Sequence, residues 1–503
     1  MFTTVSSATV LGVDGQPVTV EAHVSTGLPG FSIVGLPDTA CREARDRVRA
    51  ALLSSGCRWP QKRMTVNLAP SGVRKVGSGL DLAIALALLV ADEQLEASCL
   101  EGLGAVGELG LDGTVRGVPG IVPAVDAVIA DELVVARDVA HLVGLVSDAE
   151  IRAVATLHEA VAALAGEDPW PPLPPRPDPD PPARVPDLAD VRGQRAARRA
   201  LEIAAAGGHH LLMVGPPGAG KTMLARRLPG LLPRLDAAQA LAVTKIHSAA
   251  GLRLPADRLS TEPPFRDPHH STTMVALIGG GAPTLRPGEV SCATHGVLFL
   301  DELGEFPPHV LDALRQPLEQ GSIRISRASA SVVLPAQFLL VAAMNPCPCG
   351  EANRPGHCRC SDRERARYRR RLSGPLLDRF DLRIDVTRPD TNRLLGGEPG
   401  ASTATVAARV AAARARAATR GVRCNAELTD ARLEAATPLD AGATALLDTA
   451  LRVGSLTARG LTRVRRLALT IADLAGAEAP LTSEHVGMAL ALRSEPLAAS
   501  EAA

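Results

Sequence analysis

The sequence predicts an α/β protein in three units: an α+β front unit, an α/β core built to hold nucleotide, and a helical C-terminal unit. Three observations carry that expectation. A short apolar run, residues 211–214, leads straight into GPPGAGKT and then into a helical pattern. A second apolar run, residues 296–303, ends in two consecutive carboxylates, Asp301 and Glu302. Beyond residue 391 the chain is rich in Ala and Arg, and apolar residues recur at Val464, Leu467, Ala468, Ile471 and Leu474, the spacing of one helix face. At 503 residues the chain is too long for one core, and two to four domains are expected.

The loop Gly215, Pro216, Pro217, Gly218, Ala219, Gly220, Lys221, Thr222 fits G-x-x-x-x-G-K-[ST] position for position. Its glycines let the backbone curl until its N–H groups face an anion. A helix over 223–228 adds the positive end of its dipole. Lys221 would reach the β- and γ-phosphates of ATP, and Thr222 would hold Mg²⁺. Only four lysines occur against fifty arginines, and one of them stands where a compact ammonium is needed. Asp301 would share the Mg²⁺, and Glu302 would polarise the attacking water. A buried strand over 338–344 ends at Asn345, whose amide could orient that water.

Whole-chain properties exclude several classes. Basic and acidic residues balance at 54 each and the pI is near 7.2, so any nucleic-acid contact has to be local. Aromatics are 2% of the chain and Tyr368 is the only tyrosine, which argues against a broad base-stacking platform. The longest apolar run, residues 82–91, is too short to span a bilayer. The first residues lack a signal-peptide pattern. Nine cysteines, four of them within fourteen residues, suit a reduced, cytoplasmic protein.

In chain order, residues 1–165 form the front unit. Strands are expected at 3–11 and 18–24 with Asp14-Gly15 as the turn, helices at 41–53 and 80–89, and strands at 105–109 and 133–136. Residues 166–187 are a proline-rich, stiff spacer. Residues 188–390 form the core, opening with a helix at 196–206. His269 and His270 within PFRDPHHSTT invite a metal reading, but no further ligand lies at helical spacing. Residues 322–335 read as a β-hairpin. Cys347, Cys349, Cys358 and Cys360 form C-x-C-x8-C-x-C, two close thiol pairs suited to tetrahedral Zn²⁺; the alternative is a set of reduced thiols in a tight loop. The basic run 362–371 reads as a solvated helix face or a contact to a phosphate backbone. Arg379 follows a Gly-Pro turn. Residues 391–503 are helical, with Arg459 just ahead of the apolar stripe, where it could reach a phosphate.

The stretch GAVGELGLDGTVRGVPG (104–120) and the segment around Ser78 resemble the C-terminal domain of the Lon protease family. Lon-type proteolysis needs a serine nucleophile and a lysine base. The lysine position falls near Val122, and no lysine lies between Lys75 and Lys221, so a non-proteolytic relative is expected. GGHHLLMVGPPGAGKTMLARRLPGLLP, PFRDPHH, GVLFLDELGEF, AAMNPCPCG, SGPLLDRFDL and TARGLTRVRRLALTIADL together resemble the YifB/ComM group of magnesium-chelatase-like AAA+ ATPases over nearly the whole chain. That resemblance implies an AAA+ core with a helical lid, ATP and Mg²⁺ as ligands, and Asn345 as sensor 1. It further implies Arg379 as arginine finger, Arg459 as sensor 2, and the hairpin facing the pore of a ring. ComM-type proteins look like homo-hexameric helicases that drive DNA branch migration. The rival functions are a chelatase motor that inserts Mg²⁺ into a porphyrin, a nucleotide-binding scaffold, and a Lon-like protease.

Overall fold

The structure, a computed structural model, describes residues 2–178, 185–255, 257–281, 285–327, 330–352, 357–388 and 400–493. The front unit is built on a seven-stranded mixed sheet. Its spatial order is Gly30–Val34, Arg63–Ala69, Asp14–Ser25, Phe2–Leu11, Leu103–Val106, Glu132–Ala136 and Glu150–Val154. The first hairpin turns at Gly12-Val13, not at Asp14-Gly15, because Leu11 pairs with Asp14 and Gly12 takes the left-handed φ of 71° that the tight turn requires. The strand Arg63–Ala69 buries Met64, Val66 and Leu68 on one face, a period-two pattern that marks a half-buried strand. The helix Asp81–Ala91 is buried along its whole length. It is apolar all round because it packs against the sheet in the middle of the unit.

The core carries a five-stranded, all-parallel sheet in the order Phe265–Arg266, Val297–Leu300, Leu339–Met344, Leu211–Val214, Leu382–Asp385. The strand Leu211–Val214 is hydrogen-bonded on both sides, so its carboxyl end, and the loop that follows, cannot drift. The helix Arg195–Gly207 lies on one face of this sheet. The C-terminal helices Thr403–Thr419 and Ala458–Ala475 pack over it in the same apolar cluster. Val464, Leu467, Ala468 and Ile471 are buried as the stripe predicts, and Leu474 is half-buried. The other face is closed by a second cluster around Phe299's neighbours Leu298 and Leu300, with Phe306, Tyr368 and Phe380.

Front unit and core meet at the helix Ala237–Ala250. The Gly120 N–H donates to the Ser248 carbonyl at 2.8 Å, the Val122 N–H donates to Ser248 Oγ at 3.2 Å, and Lys245 pairs with Asp126 at 2.5 Å. The Gly12 turn also abuts Val332 in the hairpin Ser322–Arg327/Ala330–Pro335, closely enough that a Cβ on Gly12 would overlap it. The spacer runs along the front unit, where the Arg152 guanidinium lies 5.6 Å above the Trp170 ring.

Ser78 donates its hydroxyl to Glu108, and Lys75 is fully buried with its ammonium on the Pro70 carbonyl. Val122, near which a Lon-type lysine would fall, is wholly buried. The partner of the Ser78 hydroxyl is therefore a carboxylate, not the lysine that a Lon-type dyad requires. The expected result is that the full-length protein leaves an unfolded protein substrate uncut. Cleavage that disappears in Ser78→Ala would reverse this reading.

Candidate nucleotide site and cysteine cluster

The loop after Leu211–Val214 places two glycines, Gly218 at φ 76° and Gly220 at φ 89°, in the left-handed region. The helix that follows is shorter than the sequence suggests and begins earlier, Lys221–Ala225 in place of 223–228, because Pro229 ends the run in a 3₁₀ turn. Lys221 is 8% exposed. Its ammonium donates to the carbonyls of Gly215 (2.6 Å) and Pro216 (3.1 Å) and to Asn345 Oδ1 (3.1 Å). Burial lowers its pKa, partly offset by the charges of Asp301 and Glu302. Thr222 donates to Asp301 Oδ2 at 2.5 Å. Two hard oxygen donors are thus side by side at the strand tips, the donor chemistry that Mg²⁺ takes.

Glu302 sits at φ 52°, an uncommon conformation for a non-glycine residue and one that turns the chain sharply after Asp301. Its carboxylate lies 3.2 Å from His270 Nδ1. His270 lies against His269 with centroids 4.0 Å apart and ring planes tilted by 34°, and it meets Phe306 edge-on. Thr222, Arg226, Asp267, His269, His270, Asp301 and Glu302 line a cavity of about 220 Å³. The histidine pair therefore belongs to this site. It gathers no third metal ligand among the described residues. Sequence reasoning assigned it no role, although the histidines follow the edge strand Phe265–Arg266 and so had to emerge at the same end of the sheet.

Arg379 lies at the other end. The N–H groups of Asp381 and Leu382 both donate to the His210 carbonyl, which precedes Leu211. Arg379 is thus near the amino ends of the strands, and the phosphate loop leaves their carboxyl ends. A four-residue strand separates the two by roughly 13 Å. The Arg379 guanidinium pairs with Glu319. Burial lowers its pKa, and so do the nearby Arg463, Arg459 and Arg315. Arg459 is exposed at the start of Ala458–Ala475. Arg379 and Arg459 therefore share one face, away from Lys221, Asp301 and Asn345, which the fold does bring together.

The four thiols of the cysteine motif converge. Cys347 Sγ is 3.4 Å from Cys349 Sγ and 3.8 Å from Cys358 Sγ, and Cys349 is 3.7 Å from Cys358. All four sulfurs, with Cys360, lie within 4.8 Å of one another. Tetrahedral zinc with Zn–S near 2.3 Å requires S···S edges of about 3.8 Å, so the set fits that ion. Backbone N–H groups of Glu351 and Arg359 lower the Cys349 thiol to about 6, while burial pushes Cys347 up to about 12.

A parallel sheet of this order, with a phosphate loop, paired acids and a polar strand tip at its carboxyl edge, defines an AAA+-like ATPase core. Family models described as "Subunit ChlI of Mg-chelatase", "Magnesium chelatase, subunit ChlI" and "Magnesium chelatase, subunit ChlI C-terminal" match residues 20–138, 187–394 and 400–493. The uncharacterized protein YifB of Escherichia coli is 43% identical over 496 residues, covering 97% of this chain and 96% of YifB. Competence protein ComM of Haemophilus influenzae is 43% identical over 500 residues, 97% of each chain. The magnesium-chelatase 38 kDa subunit of Cereibacter sphaeroides is 25% identical over 214 residues, 40% of this chain and 58% of that subunit. The chain belongs to the YifB/ComM family of magnesium-chelatase-like proteins. No helix among the described residues is long and apolar enough to cross a membrane.

Loss of hydration around the half-buried His210 ring, whose Nδ1 accepts from the Leu340 N–H at 3.0 Å, lowers its pKa to about 4. Between that value and the ordinary 6.5 an unfolded chain binds the proton and the folded one does not. Stability from this group is therefore complete above pH 6.5 and is lost as pH falls toward 4, by at most about 3 kcal/mol. Thermal midpoints should drop between pH 7 and 5, and His210→Asn should flatten that part of the profile.

Proposed function

We propose that this chain is an ATP-hydrolysing motor that works as a ring, a homo-hexamer, and acts on DNA as a branch-migration helicase in uptake or recombination. The position of Arg379 carries this reading. An arginine at the amino edge of the sheet lies far from its own Lys221, so it completes a site only across a subunit boundary. The sharing of a face by Arg379 and Arg459 supports action of both in trans. The printed name of the Haemophilus relative, a competence protein, supports DNA as the substrate. The exposed Arg324 of the hairpin and the basic helix Asp362–Arg369 offer local positive charge for a phosphate backbone on a chain with no net charge. A chelatase motor is the second reading, favoured by the family models. It is weaker because the chelatase subunit matches 40% of the chain, whereas ComM matches 97%.

The residue roles follow from chemistry. Lys221 exchanges the carbonyls of Gly215 and Pro216 for phosphate oxygens. The backbone N–H groups of residues 215–222 cradle the anion. Thr222 and Asp301 would hold Mg²⁺, which when bound neutralises charge on the phosphates. Glu302 accepts the proton of the attacking water once it leaves His270, and Asn345 orients that water. Cys347, Cys349, Cys358 and Cys360 hold one Zn²⁺. The domains are a non-proteolytic Lon-like unit (1–165), a spacer (166–187), the ATPase core (188–390) and a helical lid (391–503), with residues 389–399 outside the described ones.

Glu302→Gln should bind ATP and fail to turn it over, since the ligands of Mg²⁺ remain and the base is lost; near-normal steady-state hydrolysis would remove Glu302 from this role. Arg379→Ala should bind ATP with little loss and hydrolyse it 10³- to 10⁵-fold more slowly, the usual worth of such a finger. Mixed with Lys221→Ala under conditions where subunits exchange, it should recover part of the activity, because some boundaries then carry both intact residues. No recovery means the finger does not act in trans. ATPase rates with single-stranded, duplex and branched DNA decide between the two readings, and stimulation is expected.

A further inference from the structure

The cysteine motif is inserted between two parts of the nucleotide site, and both of its ends return there. On the entering side, Cys347 follows Asn345 by two residues and is fully buried. The Gly350 N–H closes a turn onto the Cys347 carbonyl at 3.0 Å. That turn lies flat against the phosphate loop. Gly350 has φ 79°, and a Cβ on it would overlap the ring of Pro217. Next to it, Glu351 accepts from Arg388 at 2.8 Å, and the same guanidinium donates to the Pro217 carbonyl at 3.3 Å.

On the leaving side, Cys360 is followed at once by Ser361. Ser361 caps the helix Asp362–Arg369 through a reciprocal bond with Glu364. The helix delivers Tyr368, 4% exposed, to the turn after Glu302, where a Cβ on Gly304 would overlap its ring. The backbone N–H of Asn345 faces the Tyr368 hydroxyl oxygen. Arg371 then donates to the Gly304 carbonyl at 2.6 Å. The thiol cluster therefore joins the phosphate loop, the Asn345 strand tip and the turn after the paired acids.

We infer that the Cys347/Cys349/Cys358/Cys360 zinc is a strut for ATP hydrolysis, fixing Asn345 and Pro217 in register with Glu302. This rests on the ATPase and zinc readings above. The physical reason is that nothing in the short segment 346–352 is held by a helix or a strand. With four thiolates on one ion the segment is a closed loop of fixed shape; without the ion its sulfurs repel as thiolates or separate as thiols. Asn345 and Pro217 then lose a wall, and displacement of a water-orienting group by about 1 Å is enough to cost 10²-fold in rate. Asn345, whose Oδ1 accepts from Lys221 at 3.1 Å, should be affected more than the loop that holds ATP.

The test uses the full-length protein with three readouts: zinc content, affinity for a fluorescent ATP analogue, and steady-state hydrolysis. Titration with a mercurial that displaces zinc from thiolates should release one Zn²⁺ per chain. Hydrolysis should fall at least tenfold, analogue affinity should fall less than threefold, and thiol plus Zn²⁺ should restore both. Gly350→Ala keeps all four cysteines and wedges the knuckle off Pro217. It should retain one zinc and its thermal midpoint, yet hydrolyse ATP at least tenfold more slowly. Released zinc with unchanged hydrolysis, or full activity in Gly350→Ala, overturns the strut and leaves the zinc reading standing. Absence of zinc from protein purified without chelators overturns both. Hydrolysis absent from zinc-loaded wild type, with analogue still bound, overturns the ATPase reading and the strut with it.

Discussion

The structure depends on one buried cation. Lys221 loses its hydration at 8% exposure, and an ammonium in that position is tolerable only if every proton finds an acceptor. It finds them in two loop carbonyls and Asn345 Oδ1. Those acceptors come from neighbouring points on the carboxyl edge of the sheet, the tip of Leu211–Val214 and the tip of Leu339–Met344, which are adjacent parallel strands. The pairing of those two strands is thus what allows the charge to be buried. The charge in turn holds the loop in a shape that already points its polar groups inward. An anion entering the site replaces weak acceptors with strong ones, so the cost of burying the lysine is recovered on binding.

Much of the core was legible from local pattern. A four-residue apolar strand next to glycines, a second ending in Asp301-Glu302 and a third ending at Asn345 declare themselves because strand, turn and charge occur within a dozen residues. The stripe Val464–Leu467–Ala468–Ile471 was legible for the same reason. What was illegible depended on distant pairing. The strands Gly30–Val34 and Glu150–Val154 are only five residues long and lie at the two edges of the front sheet; the first alternates merely between exposed and half-buried positions, and the second does not alternate. The Asp14-Gly15 turn was misplaced because both Gly12 and Gly15 could bend the chain, and only the register of Phe2–Leu11 on Asp14–Ser25 decides between them.

The site shows the same division. Thr222 and Asp301 are 79 residues apart, yet each was recognisable from its own surroundings. His270 was not, because its role is set by Glu302, 32 residues on, turning back at a left-handed φ. The convergence of the four cysteines is intermediate. Their spacing announced the cluster, but its contact with Pro217 exists only because Gly350 lacks a side chain.

The scarcity of lysine has a practical consequence for chemical labelling. Lys75 and Lys221 are buried, so among the lysines amine-directed reagents meet only Lys62, with 49% of its side chain exposed, and Lys245, with 25%. Lys62 lies on the front unit, paired with Asp92. Lys245 belongs to the core and is held by Asp126 of the front unit. Its acylation rate, measured against Lys62 as an internal standard, therefore reads whether the two units are seated on each other, with almost no background from the other two lysines.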